Sequence, residues 1–282
     1  MDLLTSSRSL KVTTPDEIGI SVQVWGDAGG PDIVFIHGML QSHLSWSQQI
    51  ESPLARRFRL VTYDFRGHGG SDKPSDPSLY NDSVRFADEL KTVMDAVGVK
   101  RPILVGWSFG TRIIADYLLR FGTSRLAGIN FVAPAISPNP DHFGPLIEKL
   151  AEPRDEDFAT RIRGTREFLR ACFLKEPAKD AFETMLVVNA SVPPQIRRWF
   201  NRPTSDAESL QSLLRSLTLP VLISHSLEDQ VILPELSRWL GTMIPTAKVS
   251  FYQASGHAPF FEEPDRFNRE LEVFAAHANQ DS

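Results

Sequence analysis

The chain has 282 residues, of which 41% are hydrophobic and 23% are charged, and its formal net charge is −5 at pH 7. This length can bury a substantial core, and α/β folds of this size often form one domain. The mild acidic excess gives no electrostatic basis for binding nucleic acid or an anionic membrane surface, so neither is expected as a partner.

The cysteine content and the N-terminal residues bear on location. Cys172 is the single cysteine, which excludes an internal disulfide and favours a reducing compartment. Residues 1–8 lack a basic region followed by a long apolar core, and no stretch approaches the roughly 20 apolar residues of a membrane span. The expected location is therefore the cytoplasm.

In the first half of the chain, predicted strands alternate with predicted helices. Two β-rich runs at 10–13 and 20–24 predict a hairpin. Continuous apolar runs predict strands buried on both faces, and longer amphipathic patterns predict the connecting helices. The predicted strands are 33–36, 58–63, 103–105 and 129–132, and the predicted helices are 42–54, 83–97 and 111–121. Because parallel neighbours need a long crossover connection, this alternation predicts a parallel, doubly wound α/β sheet.

Between residues 133 and 216 the alternation stops. This segment holds several prolines, charged helical stretches and scattered aromatic side chains, which favour a helical insertion packed on the sheet. Strands are expected again at 220–223 and 249–252, followed by a helix at 264–276. The expected organisation is a core domain formed by 1–135 and 217–282, with a helical cap at 136–216.

The most informative stretch is Gly106-Trp107-Ser108-Phe109-Gly110, which lies between a predicted strand and a predicted helix. In that context a G-x-S-x-G pattern is typical of a nucleophile elbow, a sharp turn that holds a serine hydroxyl out from the sheet edge. The turn strains the serine backbone, and the two glycines let neighbouring backbone approach without a Cβ clash. By itself the pattern is also compatible with an ordinary glycine-rich turn.

A nucleophilic serine needs a base to take its proton. His257 follows the last predicted strand, and the C-terminal ends of strands in an open α/β sheet face one crevice, so His257 can approach Ser108. His37 and His225 also end strands and remain competitors for this role.

The base in turn needs a third group that fixes its tautomer and stabilises the imidazolium. Asp229 follows the strand predicted at 220–223 and meets this need, while its neighbour Glu228 is the rival. The predicted catalytic residues are therefore Ser108, Asp229 and His257.

The negative charge that forms on an attacked carbonyl oxygen needs preorganised donors. The backbone N–H of Phe109 begins the helix after the elbow, where the helix dipole adds to it. A second N–H is expected from Met39, which follows His37 and Gly38 at the end of its strand. An ordinary strand-to-loop turn is the alternative for His37-Gly38.

Taken together, these motifs resemble the α/β-hydrolase superfamily, and more narrowly its branch of small esterases, cofactor-free haloperoxidases and C–C bond hydrolases. The resemblance covers essentially the whole chain, including the loop at 64–72 and Glu262-Glu263-Pro264 after the histidine. It implies an α/β-hydrolase fold: a mostly parallel eight-stranded sheet flanked by helices, with a helical cap after the sixth strand. The chain departs from the family pattern at Thr111 and Ser226, where the family often has glycine. Neither departure removes a catalytic group.

The loop at 64–72 is expected to be architectural. Its charged residues Arg66 and Asp72 are expected to pair within the fold rather than to meet substrate. The fluoroacetate and haloalkane dehalogenases and the epoxide hydrolases of this fold use an aspartate nucleophile, so Ser108 argues against both activities.

The predicted triad would form an acyl-enzyme that water then cleaves, so ester hydrolysis without any metal or cofactor is the expected reaction. The expected substrate is a small-molecule ester, uncharged or lipophilic, bound beneath the cap of a monomer or homodimer. For each aromatic candidate, packing within the cap is the alternative role. The candidate pocket residues are His37, Gly38, Trp107, Phe143, Phe168, Phe173, Met185, Trp199, Val231 and Phe260.

Three alternative functions stay open. A C–C bond hydrolase would use the same triad, but such enzymes resemble one another in a tryptophan soon after the histidine, where this chain has Ala258-Pro259-Phe260. Perhydrolase or haloperoxidase activity would follow if peroxide replaced water in the pocket. The third alternative is a ligand-binding receptor on this fold with negligible turnover.

Overall fold

The computed structural model describes residues 8–27, 29–147, 157–200 and 206–279. The strands are β1 (Arg8–Thr13), β2 (Gly19–Gly26), β3 (Asp32–Ile36), β4 (Arg59–Asp64), β5 (Ile103–Trp107), β6 (Gly128–Val132), β7 (Val221–Ser226) and β8 (Ala247–Tyr252). They form an eight-stranded sheet in the order β1-β2-β4-β3-β5-β6-β7-β8. The β1–β2 and β2–β4 pairs are antiparallel and the other neighbours are parallel. The predicted mostly parallel sheet is confirmed.

Helices connect the parallel strands. They are α1 (Ser83–Val97), α2 (Phe109–Phe121), α3 (Phe158–Ala171), α4 (Lys179–Ala190), α5 (Pro194–Trp199), α6 (Ala207–Ser216), α7 (Pro234–Met243) and α8 (Pro264–Ala278). The helices α3 to α6, called here the insertion helices, all lie between β6 and β7, as predicted for an insertion after the sixth strand. The sequence analysis did not predict α7, the crossover between β7 and β8.

The ends of α1 illustrate how local sequence sets these helices. The Asp82 side chain accepts a hydrogen bond of 2.9 Å from the N–H of Val84, which satisfies an otherwise unpaired donor in the first turn. At the other end Gly98 adopts a left-handed conformation, with φ +69°, that glycine tolerates best. Within the described ranges, none of the helices combines the length and the apolar character that crossing a bilayer requires.

Helices cover both faces of the sheet, which explains why the central strands are apolar throughout. In β3, Ile33 and Phe35 belong to the same buried cluster as Phe267 and Leu271 of α8. The alternate residues Val34 and Ile36 belong to a second buried cluster, together with side chains of α1 and α2. Because successive strand residues point to opposite faces, a strand covered on both sides must be apolar at every position.

The single helix predicted at 42–54 is wrong. The structure has 3₁₀ turns at His43–Trp46 and Pro53–Arg56, with a short α-helical turn at Ser47–Ile50 between them. Proline lacks an N–H and disfavours the helical conformation in the preceding residue. Accordingly Ser52 is extended, with φ −88° and ψ 172°, and its hydroxyl caps the Pro53–Arg56 turn.

The loop at 64–72 pairs its charges within the fold, as expected. The buried Arg66 donates from Nε to Glu89 Oε2 at 2.8 Å and from Nη1 to Asp16 Oδ2 at 2.7 Å. Asp72 accepts a hydrogen bond of 2.7 Å from the backbone N–H of Gly19. These contacts leave the loop with a structural role next to the end of β4.

Candidate active site

Ser108 lies on the sharp turn between β5 and α2. Its φ is +52° and its ψ is −116°, a conformation that is strained for a residue with a Cβ atom. A Cβ atom at Gly110 would lie 2.5 Å from the carbonyl oxygen of Ile36, and one at Gly106 would lie 2.8 Å from that of Gly110. The predicted strain and close backbone approach are both present, and the turn presents a partly exposed Ser108 at the C-terminal edge of the sheet.

Thr111, one of the departures from the family pattern, supports this turn. Its hydroxyl donates to the carbonyl oxygen of Ser108 at 2.6 Å and accepts from the N–H of Ala135 at 2.9 Å. A hydroxyl can do both at once. Thr111 therefore ties the turn to the chain that follows β6.

The structure brings His257 and Asp229 together. His257 Nδ1 lies 2.7 Å from Asp229 Oδ2, and both side chains are buried. The other carboxylate oxygen accepts from the N–H groups of Val231 at 2.8 Å and Ile232 at 3.0 Å. Burial raises the pKa of Asp229, but the charge of His257 and hydrogen bonds from both histidines outweigh it and hold the pKa well below its ordinary value. An ionised carboxylate only accepts, so Nδ1 carries the proton and Nε2 is the ring nitrogen able to take one.

A second histidine contacts the same carboxylate. His225, fully buried at the end of β7, places Nε2 at 3.1 Å from Asp229 Oδ2 and at 3.0 Å from the carbonyl oxygen of Ile232. Its Nδ1 lies 2.6 Å from the hydroxyl of Ser237. Because Nε2 faces two acceptors, it carries a proton. His225 thus supports the acid, a role that the sequence analysis missed although His225 ends a buried strand just before Asp229.

The remaining competitors are placed differently. Glu228 is exposed, whereas Asp229 is fully buried. His37 is fully buried, with its ring stacked on Phe65 at 4.1 Å and its Nδ1 at 2.8 Å from the carbonyl oxygen of Gly38. Burial lowers the pKa of His37 to about 4, so this side chain is a neutral core residue at neutral pH.

Met39 and Phe109 follow two strands that pair directly. In the parallel β3–β5 pair, Ile36 is opposite Gly106. Met39 lies just beyond the end of β3 and Phe109 just beyond that of β5, so both backbone N–H groups belong to the same sheet edge. The Phe109 side chain packs in the core, 5.6 Å from the ring of Phe65.

The chain after Met39 is fixed by the loop at 64–72. Leu40 has a strained φ of +61°, and its N–H donates to His68 Nε2 at 3.0 Å. The N–H of His43 donates to Asp64 Oδ1 at 2.7 Å. Burial raises the pKa of Asp64, but His43 and other donors outweigh burial and hold the pKa at about 2. A residue such as Leu40 keeps a left-handed backbone only where the surroundings enforce it.

A cavity lies beside His257 and Trp107. Its volume is about 40 Å³, and it is partly open to solvent. The predicted pocket residues that border it are Gly38, Trp107, Phe168, Phe173, Met185, Val231 and Phe260, and Met39 borders it as well. The bordering residues that were not predicted are Gln41, Ser45, Leu169, Cys172, Asn189, Ala258 and Phe261. Their signal was weak, because nothing local in the sequence marks a side chain that meets the cavity only after folding.

Three predicted pocket residues do not border this cavity. His37 is the core residue described above. Phe143 forms an isolated antiparallel bridge with Ile232. Trp199 packs against Tyr80, with the ring centres 5.6 Å apart.

Trp107 both borders the cavity and braces the loop that carries His257. Its Nε1 donates to the carbonyl oxygen of His257 at 2.8 Å. Its ring meets that of Phe260 edge-on at 5.0 Å, and a Cβ atom at Gly38 would lie 2.9 Å from it. The side chain is therefore held from three sides next to the candidate nucleophile.

The loop that carries His257 is also joined to the chain after α3. The N–H of His257 donates to the carbonyl oxygen of Cys172 at 2.7 Å. One carboxylate oxygen of Glu262 accepts from the N–H of Gly256 at 2.7 Å, and the other accepts from that of Leu174 at 2.9 Å. Glu262 thus bridges the His257 loop and the insertion.

Sequence and structure comparisons find relatives over nearly the whole chain. A family model described as the alpha/beta hydrolase fold matches residues 31–264. The X-ray structure of a provisionally assigned aryl esterase from Burkholderia cenocepacia has 35% identity and a TM-score of 0.90, covering 97% of this chain and 100% of that one. Esterase RhEst1 from Rhodococcus sp. ECU1013 has 31% identity and a TM-score of 0.86, covering 95% and 98%. The bifunctional esterase/perhydrolase DCH of Acinetobacter calcoaceticus is 26% identical, covering 93% of this chain and 98% of its own.

Proposed function

The chain belongs to the α/β-hydrolase family, in its branch of esterases and cofactor-free haloperoxidases, and on this premise we propose that it is a carboxylesterase with Ser108 as its nucleophile. The family and the esterase relatives support a hydrolase, and the ester substrate and the residue roles are the proposal. The observation that carries them is the 2.7 Å contact between His257 Nδ1 and Asp229 Oδ2, at the same sheet edge as Ser108 and beside a cavity that His257 borders.

The first half of the reaction forms an acyl-enzyme. Ser108 Oγ attacks the ester carbonyl carbon while His257 Nε2 takes the hydroxyl proton. The negative charge on the carbonyl oxygen is met by the N–H groups of Met39 and Phe109. The bond to the alcohol oxygen then breaks, and the imidazolium of His257 returns its proton to that oxygen. Asp229 stabilises the imidazolium throughout and holds the tautomer.

The second half releases the acid. Water attacks the acyl carbon while His257 Nε2 takes a proton from it. The bond between Ser108 Oγ and the acyl carbon breaks, and the serine oxygen regains the proton. The products are a carboxylic acid, an alcohol and the original enzyme, so the cycle needs no cofactor.

The insertion helices act as the cap over the substrate. Phe168 of α3 and Met185 of α4 border the same cavity as Met39 and Trp107 of the core, which supports this role. The largely apolar lining favours an uncharged substrate. The cavity volume of about 40 Å³ favours a small substrate group such as a short acyl chain.

The test is turnover of p-nitrophenyl acetate and butyrate by the wild type and by Ser108→Ala. We expect many turnovers for the wild type and loss of activity in the variant. The control is Ser216→Ala on the exposed end of α6, which should behave as wild type. Activity that survives in Ser108→Ala contradicts the proposal, and release of a single equivalent by the wild type would favour a receptor.

Perhydrolysis is a second candidate, because DCH, a bifunctional esterase/perhydrolase, aligns with nearly the whole chain. Hydrogen peroxide would replace water in the second half, giving a peracid and free Ser108. Peracetic acid formed from acetate ester and peroxide, measured by bromide oxidation, tests this. Formation that persists in Ser108→Ala would assign it to another route.

A further inference from the structure

The cavity wall is apolar except for a few side chains. Three of these, Gln41, Ser45 and Asn189, carry neutral polar groups and have no role in the proposed mechanism. Each is more than nine-tenths buried, with exposed fractions of 6%, 9% and 1%. Gln41 and Ser45 follow Met39 in the chain, and Asn189 belongs to α4, so the three reach the cavity from both the core and the insertion.

Gln41 and Ser45 have no hydrogen-bond partner for their side chains among the described residues. Their polar atoms are not sealed from solvent, so water in the cavity can pair with them until a substrate replaces it. Both side chains border open space rather than packed protein. The groups that satisfy them must therefore come from whatever fills the cavity.

Asn189 is oriented by Arg197. The guanidinium donates from Nη2 to Asn189 Oδ1 at 2.7 Å, and an arginine can only donate. This contact assigns the oxygen of the Asn189 amide to Arg197 and leaves Nδ2 as a donor on the cavity wall. All three side chains can thus donate a hydrogen bond into the cavity.

We infer that Gln41, Ser45 and Asn189 form a hydrogen-bonding subsite for a second oxygen of the substrate, separate from the scissile ester group. The inference rests on the proposed esterase function and narrows its substrate class to short esters whose acyl group carries an ether or ketone oxygen. The small volume of the cavity favours the short acyl group of the ester as the part that enters. The ether or ketone oxygen of that group can accept hydrogen bonds from two of the three donors, which a plain alkyl chain cannot do, and water can pair with the third.

The test compares pairs of p-nitrophenyl esters that match in size. One pair is methoxyacetate and butyrate, which differ by one oxygen in place of a methylene. The other is 4-oxopentanoate and 4-methylpentanoate. For each pair the ratio of kcat/KM is measured in the wild type and in Gln41→Met, Ser45→Ala and Asn189→Leu. The intrinsic reactivity of each ester cancels when the ratio in a variant is divided by the ratio in the wild type.

In Gln41→Met or in Asn189→Leu, we expect the ratio of kcat/KM for the oxygenated ester to that for its partner to fall by about 5-fold or more, relative to wild type, for at least one pair. The matched control is Met185→Leu, which alters the same cavity without a hydrogen-bonding group and should keep each ratio within about 2-fold. Melting temperatures of the variants identify any that fail to fold. The test then rests on the polar variants that do fold.

Ratios that stay unchanged in all folded polar variants would overturn the subsite, because water would then be the partner of these groups. A shift in Met185→Leu as large as in the polar variants would also overturn it, in favour of cavity shape. In both cases Ser108-dependent turnover of butyrate leaves the proposed function intact. If the wild type cleaves none of the esters, the function fails and the subsite fails with it.

Discussion

The two sides of the cavity differ in how firmly their side chains are held. On the sheet side, Asp229 accepts hydrogen bonds from His257, from His225 and from two backbone N–H groups. On the insertion helices, Phe158 and Val187 are exposed to solvent over 70% and 69% of their surface. The sheet side is fixed by buried polar contacts and by backbone approaches that only glycine permits. The insertion is joined to the sheet side by the hydrogen bonds of Glu262 and by the buried ring of Phe200, which packs against Phe65. Groups that perform chemistry need preorganisation, while a wall that selects substrates tolerates variation.

The largest expected effect is on the sheet side. Asp229→Asn should lower kcat for p-nitrophenyl butyrate by about 10⁴-fold, because an amide presents the wrong partner to His257 Nδ1. Steady-state kinetics measure it. Glu228→Gln, at the exposed neighbour, should stay near wild type, and the reverse pattern would move the acid to Glu228.

The buried histidine beneath the site should make stability depend on pH. Burial lowers the pKa of His37 from 6.5 to about 4. Between these two pH values the unfolded chain binds a proton at His37 and the native chain does not. Proton binding then favours the unfolded state as the pH falls. The free energy of unfolding of the wild type, relative to that of His37→Asn, should therefore decrease by up to about 3 kcal/mol as the pH falls from 6.5 to 4.

Urea unfolding of both proteins across this pH range measures that difference. The control is Ser216→Ala, which removes no titratable group and whose stability relative to wild type should not change with pH. A constant difference for His37→Asn would mean that the pKa of His37 is the same in the native and the unfolded state.

The junction between the two sides can be weakened selectively. Glu262→Gln replaces one carboxylate oxygen by an NH₂ group and leaves at least one backbone N–H unpaired, at a cost of about 1–3 kcal/mol. Hydrogen exchange should become faster at Gly256 or at Leu174 and Lys175, because these N–H groups donate to different oxygens of Glu262 and only one oxygen remains.

Glu263→Gln is the matched control for this junction. Glu263 accepts from the Ala254 N–H and the Ser255 hydroxyl, within the His257 loop. Its replacement should perturb that loop without accelerating exchange at Leu174. Equally faster hydrogen exchange at Leu174 in both variants would show that any disturbance of the His257 loop loosens the insertion, whichever glutamate is replaced.

The smallest expected effect is on the insertion itself. At Gly164 in α3 a Cβ atom would meet nothing within 4 Å, so Gly164→Ala should raise stability by about 0.5–1 kcal/mol through helix propensity, seen as a higher melting temperature. In α2, Gly110→Ala should instead destabilise, because its Cβ atom would lie 2.5 Å from the carbonyl oxygen of Ile36. A stabilising Gly110→Ala would contradict the tight elbow.

Much of the core could be predicted because its signals are local. Apolar runs such as 33–36 mark strands buried on both faces, and the glycines around Ser108 mark a turn at which backbone segments nearly touch. A prediction could also fail for a local reason, where one residue interrupted a helical pattern. Pro53 interrupts the predicted helix at 42–54, and α7 lies in a stretch that the sequence analysis left unassigned.

The sequence by itself determined the α/β alternation, the elbow at Ser108 and the order of its candidate partners, because periodicity and turn chemistry act over neighbouring residues. Only the tertiary structure decided that His225 shares Asp229 with His257, that Trp107 braces the His257 loop, and that Gln41 and Asn189 line one cavity. These pairs join residues far apart in the chain or on different elements. Their contacts arise from packing, and no local pattern encodes them.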